Sequence, residues 1–228
     1  MKLYELVGVD KTQGFSPYVW RIKMALAHKG LEAEMVPLGF TDIKDTLDFA
    51  DSKTVPVLVD GDNIIKDSWD IACYLEAAYP DSPSIFGGSV AKAQARLLNH
   101  QITLPLLVPF FKILVADIYD LLNDEDKDYF RRTREPRLGC TIEETIEARP
   151  KLLASVKQNL WPYNKCLEEQ HFFGGDEPAF SDYIMYGIFQ WARGTSNIKI
   201  LQEDQPLYKW RTKMDNLYDG YGATLVSR

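Results

Sequence analysis

The segment Gly14-Phe15-Ser16-Pro17-Tyr18-Val19-Trp20-Arg21-Ile22 reads as a loop breaking into a helix. Ser16 suits an N-cap, and Pro17 suits the first helical position, where a missing N–H costs nothing. Tyr18, Ile22, Ala25 and Leu26 then recur on one helical face, and Gly30 stands just past the end. Upstream, Leu3 to Val7 reads as a strand. Downstream, Leu31, Ala33 and Met35 alternate with Glu32 and Glu34 as a half-buried second strand. A short helix is expected within Thr41 to Phe49. Val55 to Val59, the turn Asp60-Gly61-Asp62-Asn63 and Ile64-Ile65 form a strand, a tight turn and a returning strand. Asp67-Ser68 opens a helix with Ile71, Ala72, Leu75 and Ala78 on its apolar stripe, stopped by Pro80. The order is β-α-β-α-β-β-α. Pro56 opens a central strand without an N–H for the ladder, which predicts special backbone geometry there, a cis Val55–Pro56 bond.

Beyond Pro80 the strand patterns stop. Asp81-Ser82-Pro83-Ser84-Ile85-Phe86-Gly87-Gly88 is rich in turn formers. Helical stretches follow over about 90–122, bent near Pro105 and Pro109, then 125–134, 142–147, 150–170, 180–192 and 206–217. The expected organisation is an α/β domain over 1–80, a linker over 81–88 and an all-helical domain over 89–228.

Composition narrows the function classes. The chain of 228 residues is 46% hydrophobic and 26% charged, ordinary globular usage. Its net charge is −7. Eight basic residues face thirteen acidic ones up to Pro80, and 18 face 20 beyond it, so neither half carries a nucleic-acid footprint. The run Arg131-Arg132-Thr133-Arg134-Glu135-Pro136-Arg137 reads as a solvated helix face. Three scattered cysteines (Cys73, Cys140, Cys166) imply no disulfide framework, and three histidines lack any metal-ligand spacing, so no metal is expected. Glu5 and Asp10 interrupt any leader-like apolar stretch, and the apolar run from Ile102 to Phe111 is shorter than the roughly 20 residues of a membrane span. A cytoplasmic protein with no membrane and no nucleic-acid partner is expected.

Dinucleotide, P-loop and nucleophile-elbow motifs are missing from the sequence. What remains is two helix starts, Ser16-Pro17 and Asp67-Ser68, and one proline-marked strand start. Taken singly, each helix start is first of all a cap. Together they lie at the carboxyl ends of a small sheet, where free amides and dipole ends favour a thiolate or carboxylate. A short polar ligand with a thiol at one end and an amino-acid group at the other suits such a cleft.

The Ser-Pro-Tyr-Val-Trp-Arg helix start, Val55-Pro56-Val57-Leu58, Asp67-Ser68 and the helical second half together resemble a cytosolic glutathione transferase. More narrowly, residues 15–21, Ala25-Leu26-Ala27-His28-Lys29-Gly30, Asp67-Ser68-Trp69 and Phe173-Gly174-Gly175-Asp176-Glu177-Pro178 are similar to the bacterial lignin β-etherase group and its fungal etherase-related relatives. The resemblance implies a thioredoxin-like domain, a helical domain carrying the hydrophobic substrate site, a homodimer and glutathione as co-substrate. It implies that Ser16 hydrogen-bonds the glutathione sulfur. Val55 would pair its backbone with the cysteinyl part, Pro56 would be the cis-proline, Asp67 and Ser68 would hold the γ-glutamyl end, and Lys53 would reach a carboxylate. The chain departs from the family pattern at Ala179, because a late buried helix starting with Ala179-Phe180-Ser181-Asp182 would normally carry Ser or Thr at that first, N-cap position.

Two functions fit such a site. One is a transferase in which Ser16 stabilises a glutathione thiolate that attacks hydrophobic aromatic electrophiles, β-aryl ethers among them, a detoxification chemistry. The other is a non-catalytic, glutathione-dependent carrier of aromatic compounds. Most of Phe110, Phe111, Tyr119, Trp161, Tyr163, Tyr183, Tyr186, Phe189 and Trp191 are expected in the core, with one or two lining the aromatic cleft. A thiol–disulfide oxidoreductase would place Cys where Ser16 stands.

Overall fold

The computed structural model describes residues 1–227. Strand β1 (Lys2–Leu6) pairs in parallel with β2 (Glu34–Leu38) and antiparallel with β3 (Val57–Asp60), which pairs antiparallel with β4 (Asn63–Lys66); the order is β2-β1-β3-β4. Period-two alternation sorts the sheet's residues into two cores. Leu3 and Leu58 face the main core with Ile22, Ile71 and Leu75. Val57 and Leu38 face a smaller one with Ile43, Leu47 and Ala50. Helices α1 (Pro17–Lys29) and α3 (Ser68–Ala78) pack together over the first face. The short α2 (Asp42–Thr46) and a 3₁₀ turn, Asp48–Ala50, supply the second. This is a thioredoxin-like sheet domain followed by helices, the expected architecture.

Strand β2 lies three residues beyond the alternating stretch that sequence pointed to. Parallel pairing with β1 sets it, Lys2 opposite Glu34 through Leu6 opposite Leu38, and takes in Pro37. An edge strand leaves one row of amides unused, so a proline is tolerated there.

The helical part runs α4 (Ser89–Gln101), a π-turn over Thr103–Leu107, and α5 (Val108–Asp120). Pro105 and Pro109 each lack a ladder donor, and the turn absorbs them with an i→i−5 bond from Leu107 N–H to Ile102 O, 3.1 Å. Taken across this turn, Ser89–Asp120 is long and apolar enough to cross a membrane, although the expected run was too short; half of its most apolar part is buried inside the fold. Next come α6 (Asp124–Leu138), α7 (Glu144–Asn159), α8 (Trp161–Glu169), α9 (Phe180–Thr195) and α10 (Pro206–Gly220), the last leaving helical geometry at Leu217. Sequence placed breaks at Pro136 and before Pro150, yet α6 and α7 run through both prolines. Packing of α7 on α5 outweighs the single bond lost at Pro150. The break falls at Leu160, where Pro162 starts the next helix.

Nearly all of α9 is buried. Its start resolves the departure at Ala179, whose side chain offers no cap. Instead the Ala179 carbonyl accepts the Asp182 N–H at 2.8 Å, and Asp182 Oδ2 accepts the Ala179 N–H at 3.0 Å. The same carboxylate accepts Phe173 N–H (2.8 Å), Gly174 N–H (2.9 Å) and Trp210 Nε1–H (2.8 Å). Burial pushes the Asp182 carboxyl above its ordinary value, and these four donors pull it back. Asp182→Ala leaves four donors, the buried Trp210 indole among them, without their acceptor and should cost about 3 kcal/mol or more. Urea denaturation measures it, and a loss below about 1 kcal/mol would show that water replaces the carboxylate.

Candidate active site

Ser16 sits where β1's connecting loop turns into α1. Its hydroxyl accepts the Val19 N–H at 3.4 Å, so it does cap the helix as the simplest sequence reading held. Accepting that bond leaves the hydroxyl proton available as a donor. Pro17 has no N–H and Trp20 N–H bonds back to Ser16 O, 3.1 Å, which leaves Tyr18 N–H as the helix-start amide without a partner in the helix. The loop is held from behind: Phe15 N–H donates to Leu6 O (3.1 Å) and Trp20 Nε1–H to Gly14 O (2.8 Å). Beneath it lies the buried ion pair of Lys23 and Glu5, 2.5 Å.

The Val55–Pro56 bond is cis, and Val55 precedes β3, outside its ladder. Ser52 Oγ bonds Thr54 O (2.8 Å) and accepts Thr54 N–H (3.3 Å), shaping the loop that carries Lys53. Asp67 caps α3 through Oδ1 and the Trp69 N–H, 2.8 Å, with a backbone φ of 70°. A non-glycine residue held there is strained, and such strain clusters at functional sites. The buried Ser68 follows it at the helix start.

Ser16, Lys53, Val55, Pro56, Asp67 and Ser68, named from three separate stretches of sequence, line one cavity of about 910 Å³. Its far wall belongs to the helical part: Phe111 and Ile118 on α5, Tyr129, Phe130 and Arg134 on α6, and Trp191 on α9. Phe111 and Trp191 stack at 6.3 Å between centroids and 16° between planes. These are the two of the nine aromatics singled out from sequence that reach the cavity. Phe110, Tyr183, Tyr186 and Phe189 are core, and Trp161 is exposed. Periodicity alone missed Phe40, Tyr129 and Phe130, because the wall comes from a loop and a strongly polar helix. The basic run in sequence places Arg134 on a solvated face. Arg131 of the same run does pair with Glu135 and Glu143, whereas Arg134 is half-buried against the cavity.

Electrostatics favour anions near the first helix. Arg21 is buried one turn in, its guanidinium 4.6 Å over the Tyr18 ring and its Nη1 2.7 Å from Asn99 Oδ1. Burial pulls its pKa down to about 10, opposed by Tyr18 and Asp67, so it stays charged at neutral pH.

The arrangement, a thioredoxin-like half with a hydroxyl at its first helix start facing an aromatic wall on a helical half, defines a class that comparison identifies. Residues 15–78 match the glutathione S-transferase N-terminal domain model, and 93–210 match the C-terminal domain model. The chain belongs to the glutathione S-transferase family. It is 23% identical to the glutathione S-transferase-like protein UstS of Aspergillus flavus over 82% of this chain and 76% of that protein. A shorter match, 43% over 68 residues, relates 28% of this chain to 30% of glutathione S-transferase Z1 of Arabidopsis thaliana. Among solved structures, the glutathione transferase GSTFuA3 of Phanerochaete chrysosporium superposes with a TM-score of 0.77 at 25% identity, over 98% of this chain and 93% of that one. A glutathione S-transferase of Ceriporiopsis subvermispora, solved in complex with glutathione, gives 0.78 at 22% identity over 98% and 94%.

Contact between the two halves sets the position of Ser16. Gly187 on α9 lies against the first turn of α1, and a Cβ there would stand 2.2 Å from Pro17 O and 3.3 Å from Arg21 Cγ. The neighbour is backbone, so Gly187→Ala must move α1 or α9. We expect a loss of about 1–3 kcal/mol in denaturant unfolding, and a variant as stable as the parent would show that the helices slide freely.

Proposed function

We propose that the protein is a glutathione S-transferase in which Ser16 stabilises a glutathione thiolate for attack on hydrophobic aromatic electrophiles, aryl ethers of the β-etherase type among them. The observation that carries this is the convergence of Ser16, Lys53, Val55, Pro56, Asp67 and Ser68 on one cavity closed by an aromatic wall. Family membership, and the glutathione bound in the Ceriporiopsis relative, support glutathione as co-substrate. In this reading Asp67 takes the γ-glutamyl ammonium, Ser68 and the α3 start its carboxylate, Lys53 the glycyl carboxylate, and the Val55 backbone the cysteinyl amide.

A free thiol has a pKa near 8.5, and the thiolate is the nucleophile. The Ser16 hydroxyl, the Tyr18 amide and the α1 dipole stabilise that anion, so more of it is present near neutral pH. The thiol proton leaves to solvent. The sulfur then forms its bond to the electrophilic carbon while the leaving group departs with its electron pair. The hydroxyl is a donor here and never attacks. We place the protein in a reducing cytoplasm, consistent with three unpaired cysteines. A homodimer is supported by the exposed apolar Val90 and Leu97 on α4 and Leu104 in the turn after it.

Asp67→Ala and Ser68→Ala should each weaken glutathione binding by roughly 1–3 kcal/mol in calorimetry, since a charged ligand group loses its partner. Unchanged affinity in both would remove the glutathione assignment. Ser16→Ala should raise the bound thiol's pKa by about one to two units, because a hydrogen bond to a charged group is worth about 1.5–3 kcal/mol and one unit is about 1.4. Thiolate absorbance against pH measures the shift, and turnover should fall near pH 7 and partly recover at higher pH. Identical titrations of parent and variant would assign activation to another group. Tight binding of aromatics without turnover of any electrophile would make the protein a carrier.

A further inference from the structure

Among the described residues, Arg134 is the half-buried charged side chain in the cavity that neither the glutathione assignments nor the protein's own ion pairs use. It lies on α6 one turn after Phe130, an i,i+4 spacing that puts both on one face. Its guanidinium carbon stands 5.1 Å from the Phe40 ring centre, 5.1 Å from that of Phe130 and 5.9 Å from that of Tyr129. Thr133 Oγ1 accepts one of its N–H groups at 2.8 Å. Among the described residues no carboxylate pairs with it, whereas Arg131 on the same helix has two. Burial lowers its pKa, which marks a cation held partly out of water, and the Tyr129 phenol offsets part of that cost. A desolvated guanidinium without an anion is costly unless something supplies one.

The surroundings hold it in place. Asp126 on α6 accepts Thr41 N–H at 2.8 Å and Thr41 Oγ1–H at 2.9 Å, tying the loop that bears Phe40 to this helix. Phe40 and Phe130 meet at 5.1 Å, and the guanidinium sits over both faces. The other cavity charges outside the glutathione assignments, Lys44 and Asp45, are exposed and opposite in sign. Arg134 is therefore the anchored cation beside the aromatic wall.

We propose that Arg134 determines specificity for the second substrate by pairing with a carboxylate, so that the preferred electrophile is an aromatic ring bearing an acidic substituent. The ring lies against the aromatic wall and the planar guanidinium takes the two carboxylate oxygens side by side, a geometry an ammonium cannot match. Turnover, as distinct from binding, rests on the transferase reading above. On an aryl chloride the glutathione sulfur forms the new bond to the ring carbon, chloride leaves with the bonding pair, and the thiol proton goes to solvent.

The test uses 4-chloro-3-nitrobenzoate and its uncharged counterpart 4-chloro-3-nitrobenzamide, which share ring and leaving group. Arg134→Gln should lower kcat/KM for the benzoate about ten- to a hundred-fold and for the benzamide by less than about threefold, with Arg134→Lys between parent and Gln on the benzoate alone. Lys44→Gln should keep the parent's preference. Equal losses on both compounds, or none on the benzoate, would reduce Arg134 to a structural clamp, and loss of the preference in Lys44→Gln alone would move the role to Lys44. Calorimetric binding of the same two compounds in the presence of S-methylglutathione, which has no thiol to react, tests the pairing without chemistry. Arg134-dependent binding of the benzoate without turnover of either compound would keep the proposal and remove the transferase reading. Binding indifferent to Arg134 overturns the proposal whatever the turnover. If Arg134→Gln does not fold, Arg134→Lys carries the comparison, and a benzoate loss no greater than the benzamide loss overturns it.

Discussion

The close approach of α9 to the first turn of α1, made at Gly187 and Pro17, is the constraint on which the site depends. Helix α9 is the buried centre of the helical half, and α1 carries Ser16 at its start. A rigid contact between two packed helices places that start more reproducibly than a surface loop could. The other end of the same interface is fastened differently: His28 Nδ1 lies 2.5 Å from the Tyr183 hydroxyl, which lies 2.5 Å from that of Tyr218. One contact admits no side chain, and the other is a chain of polar groups. Together they fix α1 along its length.

Charge burial serves the same end. Glu5 with Lys23 and Lys29 with Glu76 are ion pairs in or beside the core. Lys29 also donates to Tyr79 O and Pro83 O, each at 3.1 Å, which pins the connection between the halves. Such groups add little net stability over apolar packing, but each tolerates few alternative positions. Asp182 does this for the helical half, gathering three backbone amides and one indole. The outcome is a cavity whose polar side comes from loops that cannot wander and whose apolar side comes from three different helices.

That division explains what the site can recognise. The sheet half presents helix starts and a strained Asp67, groups that suit charges fixed in a peptide. The helical half presents large flat surfaces with one anchored cation. In the proposed function a thiol peptide and an aromatic partner would thus be held by different physics.

Local chemistry made much of the first half legible. Ser16-Pro17 and Asp67-Ser68 announce helix starts through capping and proline geometry, and the turn at Asp60 to Asn63 announces a hairpin, because each signal lies within a few residues. Ser16, Pro56, Asp67 and Ser68 of the candidate site stand out for the same reason, being helix starts and a proline, whereas Lys53 and Val55 are named only through the family resemblance. Helical periodicity also places α4 with α5, α9 and α10, but where pairing or packing decides, the sequence misleads. Strand β2 took its limits from pairing with β1 rather than from its own alternation, and Pro136 and Pro150 ended no helix because packing overrode them. The aromatic wall joins Phe40, Phe111, Phe130 and Trp191 across about 150 residues, a juxtaposition no period can reveal. Arg134 looked like its neighbours in a basic run, and only the rotation of α6 against the loop of Phe40 turned it inward. Hydrogen-bonding groups at chain punctuation declare themselves locally, whereas which face of a helix meets a cavity depends on how distant helices pack.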